Sequence, residues 1–198
     1  MHARRYHHGD LRAALLERAE QTLREKGPAA LSLRELARDL GVSHAAPSRH
    51  FKDKQALLDA LALAGFERLN QALAEGPGPH GPFAERLAAL ARAYVGFATA
   101  NPELLDLMYT VKHDPEATEA LVAAAHQGLT QAAALFADAQ RTGEVRPGPV
   151  EQICLPALAT VHGFADLAVG GLLSPEQARA GLEEVIAYVL RGCAPDRP

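Results

Sequence analysis

Residues 32–54 read SLRELARDLGVSHAAPSRHFKDK, and this stretch decides the fold. Ser32 stands where a helix N-cap belongs, and Glu35 three positions on completes a capping-box pattern. Leu33, Leu36, Ala37 and Leu40 then recur at the spacing of one helix face. Gly41 follows the last apolar residue, where positive φ closes a helix at little cost. Val42 returns to the core, and Ser43 is placed to cap a second helix. Two short helices joined by a tight turn, the second presenting small and basic side chains, make a helix-turn-helix. Such a unit carries its second helix into the DNA major groove.

The words LRELARDLGVSHAAPSRHF and KDKQALLDAL resemble the N-terminal domain of the TetR family of bacterial transcriptional regulators. Residues 9–51 align as three helices, and Lys54 with the LL pair that follows opens a fourth. Far downstream, VHGFADL at 161–167 is similar to the C-terminal half of a Trp-His-Gly signature in one TetR subgroup, although the chain contains no Trp.

The chain has 198 residues, enough for a sizeable core in one or two compact units. Cys154 and Cys193 have neither metal-ligand spacing nor the pattern of a disulfide framework. MHARRYHHGD lacks the apolar centre of a signal peptide, and no apolar run is expected to span a membrane. A soluble, cytoplasmic protein is the expectation. The formal net charge of −4 hides an asymmetry. Residues 1–54 carry eleven Lys and Arg against seven Asp and Glu, a balance of +4, and five of the nine His; the remainder carries −8. A basic end suits phosphates, and an acidic body suits solvent.

The pattern elsewhere is helical throughout, and the fold class is all-α, with about nine helices and no strand signature. The first helix covers Asp10–Lys26 and stops at Gly27-Pro28. Asp53 caps the fourth, and GPGPHGP at 76–82 breaks the chain. Helix five follows from about Phe83 to Ala100, while Asn101-Pro102 and Asp114-Pro115 read as cap-plus-proline starts of helices six and seven. Helix eight runs over roughly 150–170 with Pro156 as an expected kink, and Ser174-Pro175-Glu176-Gln177 opens helix nine with a capping box. The expected organisation is a helix-turn-helix DNA-binding domain over 1–54, then a helical ligand-binding and dimerisation domain over 55–198.

Most protein–DNA hydrogen bonds go to phosphates, and few side chains read base edges. Ser32 and the first-turn amides of its helix suit a phosphate, and the resemblance implies that Arg34 reaches a base. His44, Ala45 and Ser48 match the family's groove-facing positions, while His50 and Lys54 match its phosphate contacts. The methyls of Ala45 and Ala46 suit a thymine methyl; His44 and Ser48 offer hydrogen bonds to base edges or phosphate. Arg4 and Arg5 form a candidate arm, and Arg49 points to DNA or away with equal ease. Phe51 reads as core and Arg38 as an ion-pair partner. Family members commonly carry Tyr where this chain has Ser48. Pro47 removes a backbone donor near the start of a very short helix, so it either rigidifies that helix or shifts its start.

The resemblance implies a ligand pocket among helices five to seven and a dimer built by helices eight and nine. Helix eight carries Ile153, Ala157, Val161, Phe164 and Ala168 on one stripe, with Leu155, Leu158 and Leu167 off it. A helix apolar on more than one side needs two burial partners, and a symmetry mate supplies the second. Val161, Phe164, Leu182, Val185, Ile186 and Val189 are the expected interface. The candidate pocket takes Leu90, Tyr94, Phe97, Leu104, Met108, Tyr109 and Leu129 as walls, with His126 and His162 as polar points; core packing of the same residues is the plainer alternative. Few basic residues lie there, so an apolar or aromatic effector is expected. His162 and Asp166 are four apart, yet no third ligand makes a metal site, and no cofactor is expected. No nucleophile–base constellation or Gly-rich phosphate loop points to an enzyme. The reading is a homodimeric repressor released from a palindromic operator by a small molecule. The competing reading is an adaptor binding a small molecule or a partner, with DNA recognition lost.

Overall fold

In a computed structural model of the protein, residues 11–75 and 81–195 are described, and among them every regular element is helical. The α-helices are α1 (Leu11–Lys26), α2 (Leu33–Asp39), α3 (Lys54–Ala74), α4 (Phe83–Ala100), α5 (Pro102–Val111), α6 (Glu119–Arg141), α7 (Val150–Val169) and α8 (Pro175–Cys193). Short 3₁₀ turns occupy Pro28–Ala30 and Pro47–Arg49. The second of these stands where a ninth α-helix was expected. Arg4 and Arg5 lie outside the described residues.

The chain forms two compact units. One takes the chain up to Gly65 together with Glu103–Val122; the other takes Phe66–Pro102 and the chain from Ala123 onward.

In the first unit, α1 packs against α2 and both 3₁₀ turns. Leu15, Ala19 and Leu23 of α1, Leu36 of α2, Leu57 of α3, and Phe51 are all nearly inaccessible. Arg18 fastens this packing from outside: its Nε and Nη2 donate to Asp39 Oδ2 at 3.0 and 2.8 Å. That guanidinium holds the Asp39 carboxyl below its ordinary range.

In the second unit, α4, α7 and α8 pack on one another. Their core joins Phe83 and Leu87 to Phe136, Ile153, Cys154 and Val189. Phe83 and Phe136 meet edge to face with ring centroids 5.1 Å apart. Arg92 spans α4 and α8, donating from Nε and Nη2 to the two Glu183 oxygens at 2.9 and 2.7 Å. The α8 start matches its sequence pattern. Gln177 N–H donates to Ser174 Oγ at 3.2 Å, and Ser174 N–H to Gln177 Oε1 at 2.9 Å.

Two expectations change here. Asp114-Pro115 does not open a helix; those residues form a turn in which Asp114 Oδ1 accepts from Glu116 N–H, and α6 starts four residues later. Thr118 takes over the cap, accepting from Leu121 N–H. α7 is also long and apolar enough to cross a membrane by length and composition, contrary to the expectation that no such run exists. Its inward stripe of Ile153, Ala157, Val161 and Phe164 is buried within the protein.

Candidate nucleic-acid interface

Ser32 takes the extended backbone of an N-cap, φ −145° and ψ 124°, and its carbonyl accepts from Leu36 N–H at 2.9 Å. The expected capping box is absent, because the Ser32 side chain makes no capping hydrogen bond. Glu35 turns to Arg38 instead, with the two charged ends 3.7 Å apart and exposed. Arg38 is thus the ion-pair partner expected of it. Arg34 beside them is exposed.

Gly41 closes α2 at φ +68°. Gly41 N–H donates to Arg38 O at 3.1 Å, and Val42 N–H to Ala37 O at 3.0 Å. This pair of bonds is a Schellman motif, and it uses the conformational freedom that only glycine has cheaply. Val42 is half-buried.

The following segment departs from the expected helix. Ser43 caps nothing: residues 44–45 form a turn, and Pro47–Arg49 a 3₁₀ turn. Ala46 N–H donates to Ser43 O at 2.9 Å, one residue short of an α-helical bond. Pro47 has no N–H to supply the next bond, and its ring opposes the carbonyl four residues back. From Pro47 onward the path tightens again, since Pro47 O accepts from His50 N–H and Phe51 N–H, both at 2.9 Å. The Pro47 ring is itself fully buried, so the residue that interrupts the helix also anchors the segment.

Around that anchor, His44, Ala45, Ser48, Arg49 and His50 are exposed, and Ala46 is half-buried. Phe51 is core, 2% exposed, with the Arg12 guanidinium 5.6 Å above its ring centre. Asp53 caps α3 as expected, its Oδ1 accepting from Ala56 N–H at 2.8 Å. Lys54, exposed at the first position of α3, reaches back to Ala29 O at 3.4 Å. Two further exposed cations, Arg12 and Lys52, escaped the sequence reading. Arg12 lies outside the helix-turn-helix stretch, and Lys52 lies within it at a position that neither a cap nor the apolar spacing marks.

The expected pocket residues divide between the two units. Leu104, Met108 and Tyr109 belong to the first. Leu104 and Met108 are buried, and Lys112 Nζ lies 4.0 Å from the Tyr109 ring centre. Burial lowers the pKa of that ammonium. In the second unit, Leu90 packs on the core cluster and Phe97 is half-buried. Tyr94 Oη and His162 Nδ1 are hydrogen-bonded, and His162 Nε2 stands 4.0 Å from Asp166 Oδ2. A wall residue of α4 and a polar point of α7 therefore engage each other. His126 and Leu129 are exposed, not interior. The inward stripe of α6 runs through Leu121, Ala124, Ala132, Leu135 and Phe136, which leaves 126 and 129 on another face.

Most of the expected dimer residues are already enclosed by their own chain. Val161, Phe164, Leu182, Ile186 and Val189 are buried within their own chain, and Val185 is half-buried. The apolar surface that does face outward is Leu155, Leu167, Val169, Leu172 and Tyr188, between 36% and 72% exposed. Leu155 and Leu167 are two of the residues that fell off the main stripe in the sequence.

Residues 15–61 match the family model for bacterial regulatory proteins of the tetR family. Residues 87–189 match a Tetracyclin repressor-like C-terminal domain. No functionally curated protein matches the chain. Among solved structures, a Rhodococcus sp. RHA1 protein of unknown function is 47% identical, with TM-score 0.88 over 97% of this chain and 100% of that one. PfmR, a TetR family transcriptional regulator from Thermus thermophilus, is 22% identical, with TM-score 0.72 over 90% of this chain and 97% of its own. A bacterial regulatory protein in the tetR family from Rhodococcus RHA1 is 20% identical, with TM-score 0.74 over 93% and 97%. With both parts of the chain matched, the protein belongs to the tetR family of bacterial regulatory proteins and is a DNA-binding transcriptional regulator.

Proposed function

We propose that the chain works as a homodimeric repressor that leaves a palindromic operator when a small apolar or aromatic molecule binds. In this reading the DNA-binding domain is 1–54, and residues 55–198 serve ligand binding and dimerisation in the cytoplasm. The observation that carries it is the outward display of His44, Ala45, Ser48, Arg49 and His50 around the buried Pro47. Small and polar groups at that spacing suit a major groove, with Arg34 for a base and Ser32 and Lys54 for phosphates. The outward apolar row on α7 and α8 supports a two-fold partner, because a row of that kind on a monomer calls for a cover. VHGFADL at 161–167 supports a place near the Trp-His-Gly subgroup.

A ligand moves such an equilibrium only through different affinities for the DNA-bound and released states. Tyr94 and His162 are the polar anchors assigned to it, and Leu90 and Phe97 the apolar walls. The test is selection of bound duplexes from a random pool. An inverted repeat is the expected result, since a two-fold dimer reads two half-sites on one face of the duplex. Recovery of a single, non-repeated site would reject the dimeric reading.

A further inference from the structure

The turn joining α7 to α8 is a Schellman motif. Gly171, at φ +74°, donates its N–H to Ala168 O at 3.4 Å, and Leu172 N–H donates to Leu167 O at 3.2 Å. An apolar residue at this place in the motif often folds back on the last turn of its own helix. Leu172 does not: it is 72% exposed, the most exposed large apolar side chain among the described residues. A fixed turn thus holds a leucine out into solvent. Asp166 and Glu176 are exposed on either side of it in the chain, with Arg179 one turn further along α8.

The opposite end of the same helix pair carries a groove of about 410 Å³. Ile153, Pro156, Ala157 and Val189 give it an apolar lining; Arg146 and Arg191 are its charged residues, and no carboxylate lines it. We propose that Leu172 of one copy of the chain enters this groove on a second copy, and the reverse, in an antiparallel pair. The contact rests on the homodimer proposed above and adds its register. A two-fold interface returns whatever it receives, so a leucine at one end and a groove at the other complete each other twice. The charges agree, because the two arginines meet the turn flanked by Asp166 and Glu176. Setting position 172 opposite 152, at the groove mouth, also sets Leu155 opposite Val169, both exposed apolar residues of α7. The two α7 helices then cross beside Gly163, which is exposed and has open space where a Cβ would stand, so the backbones can approach closely there.

Co-expressed Leu172→Cys and Gln152→Cys chains test the register. Mild oxidation should link 172 to 152 between copies, since a disulfide forms only where the Cα atoms lie within about 7 Å. The masses of the linked peptides separate this bridge from any made by Cys154 or Cys193. Leu172→Ala should still fold, the side chain being exposed within its own chain. In sedimentation it should raise the dimer dissociation constant about a hundredfold, roughly tenfold for each copy. A wild-type chain that stays monomeric overturns the homodimer and this contact together. A dimer that links 172 to 172, or fails to link 172 to 152, overturns the contact alone. So does a dimer that tolerates Leu172→Ala, in which case the groove belongs to another occupant.

Discussion

Met108 of α5 lies directly over Gly65 of α3: a Cβ at position 65 would come within 2.5 Å of Met108 Sδ and 2.9 Å of its Cγ. Met108 is fully buried, so its side chain has no open space to retreat into. Gly65→Ala should therefore destabilise the protein by about 1–3 kcal/mol, the usual cost of overpacking. Met108→Ala in the same chain should return part of that loss, because the added methyl then occupies vacated space. Urea unfolding of the two single variants and the double variant measures the coupling. Simple additivity would mean that the contact is not what the methyl disturbs.

At Pro47 two effects compete in Pro47→Ala. Restoring an N–H and removing the ring lets residues 43–50 continue as α-helix, since Pro is about 3 kcal/mol worse than Ala inside one. Losing a fully buried ring removes packing. The expected outcome is more helical Cα chemical shifts over residues 44–50, together with a lower Tm. Unchanged shifts would show that something other than the missing donor holds the 3₁₀ turn.

For DNA reading, Arg34→Ala and His44→Ala should relax base preference at their positions, with a cost of about 1–3 kcal/mol for the preferred site. Lys54→Ala should instead weaken all duplexes alike and reduce the salt slope by about one. Titrating selected and scrambled duplexes at several salt concentrations separates the two patterns.

For assembly, Leu155→Glu and Leu167→Glu alter side chains that are 63% and 47% exposed in a single chain. Each variant should fold and fail to dimerise, because a charge placed in an apolar interface lacks a partner. Ile186→Glu puts the charge at a position 5% exposed inside its own chain, so it should lower Tm sharply. Light scattering and thermal melts together make the distinction. A dimeric Leu155→Glu protein would move the interface elsewhere.

The two thiols should be nearly inert in the folded protein. Burial pushes Cys154 up to about 11, with the neighbouring Cys193 adding to the shift, and burial raises Cys193 as well. Because the folded pKa of Cys154 lies above the unfolded one, its contribution to stability is complete below about pH 9. It fades as pH rises through 11. At pH 8 a thiol–disulfide reagent should react slowly with native protein and rapidly after unfolding. Fast native labelling would mean that the thiols are not enclosed.

The parts of the fold that were legible in the sequence share a short range. Gly41 reads as a stop because a left-handed residue is needed there, and Ser174 with Gln177 reads as a start because both bonds close within four residues. Ser32 and Glu35 carry the same pattern, yet Arg38 competes for Glu35 and the box does not form. Pro47 was ambiguous for a local reason as well: its φ suits a helix while its missing N–H breaks one, and packing of the ring decides. On α7 and α8, periodicity finds two apolar faces but cannot say which one the chain keeps for itself. The stronger stripe proves to be the internal one, which sends Leu155 and Leu167 outward. The Arg18–Asp39 contact, 21 residues apart, leaves no trace in spacing.

A helix apolar on opposite sides has few positions where substitution is free. Along α7, Ile153, Ala157, Val161 and Phe164 are fixed by the interior, while Leu155 and Leu167 stay apolar although they face outward. α6 differs, since residues such as Ala123, Gln127 and Thr130 face out on a polar or small-residue side. A saturation library across both helices should accordingly show low tolerance in α7 along its inward stripe and at Leu155 and Leu167, with relief at exposed positions such as Glu151, Gln152 and Asp166. In α6, tolerance should rise and fall with every turn.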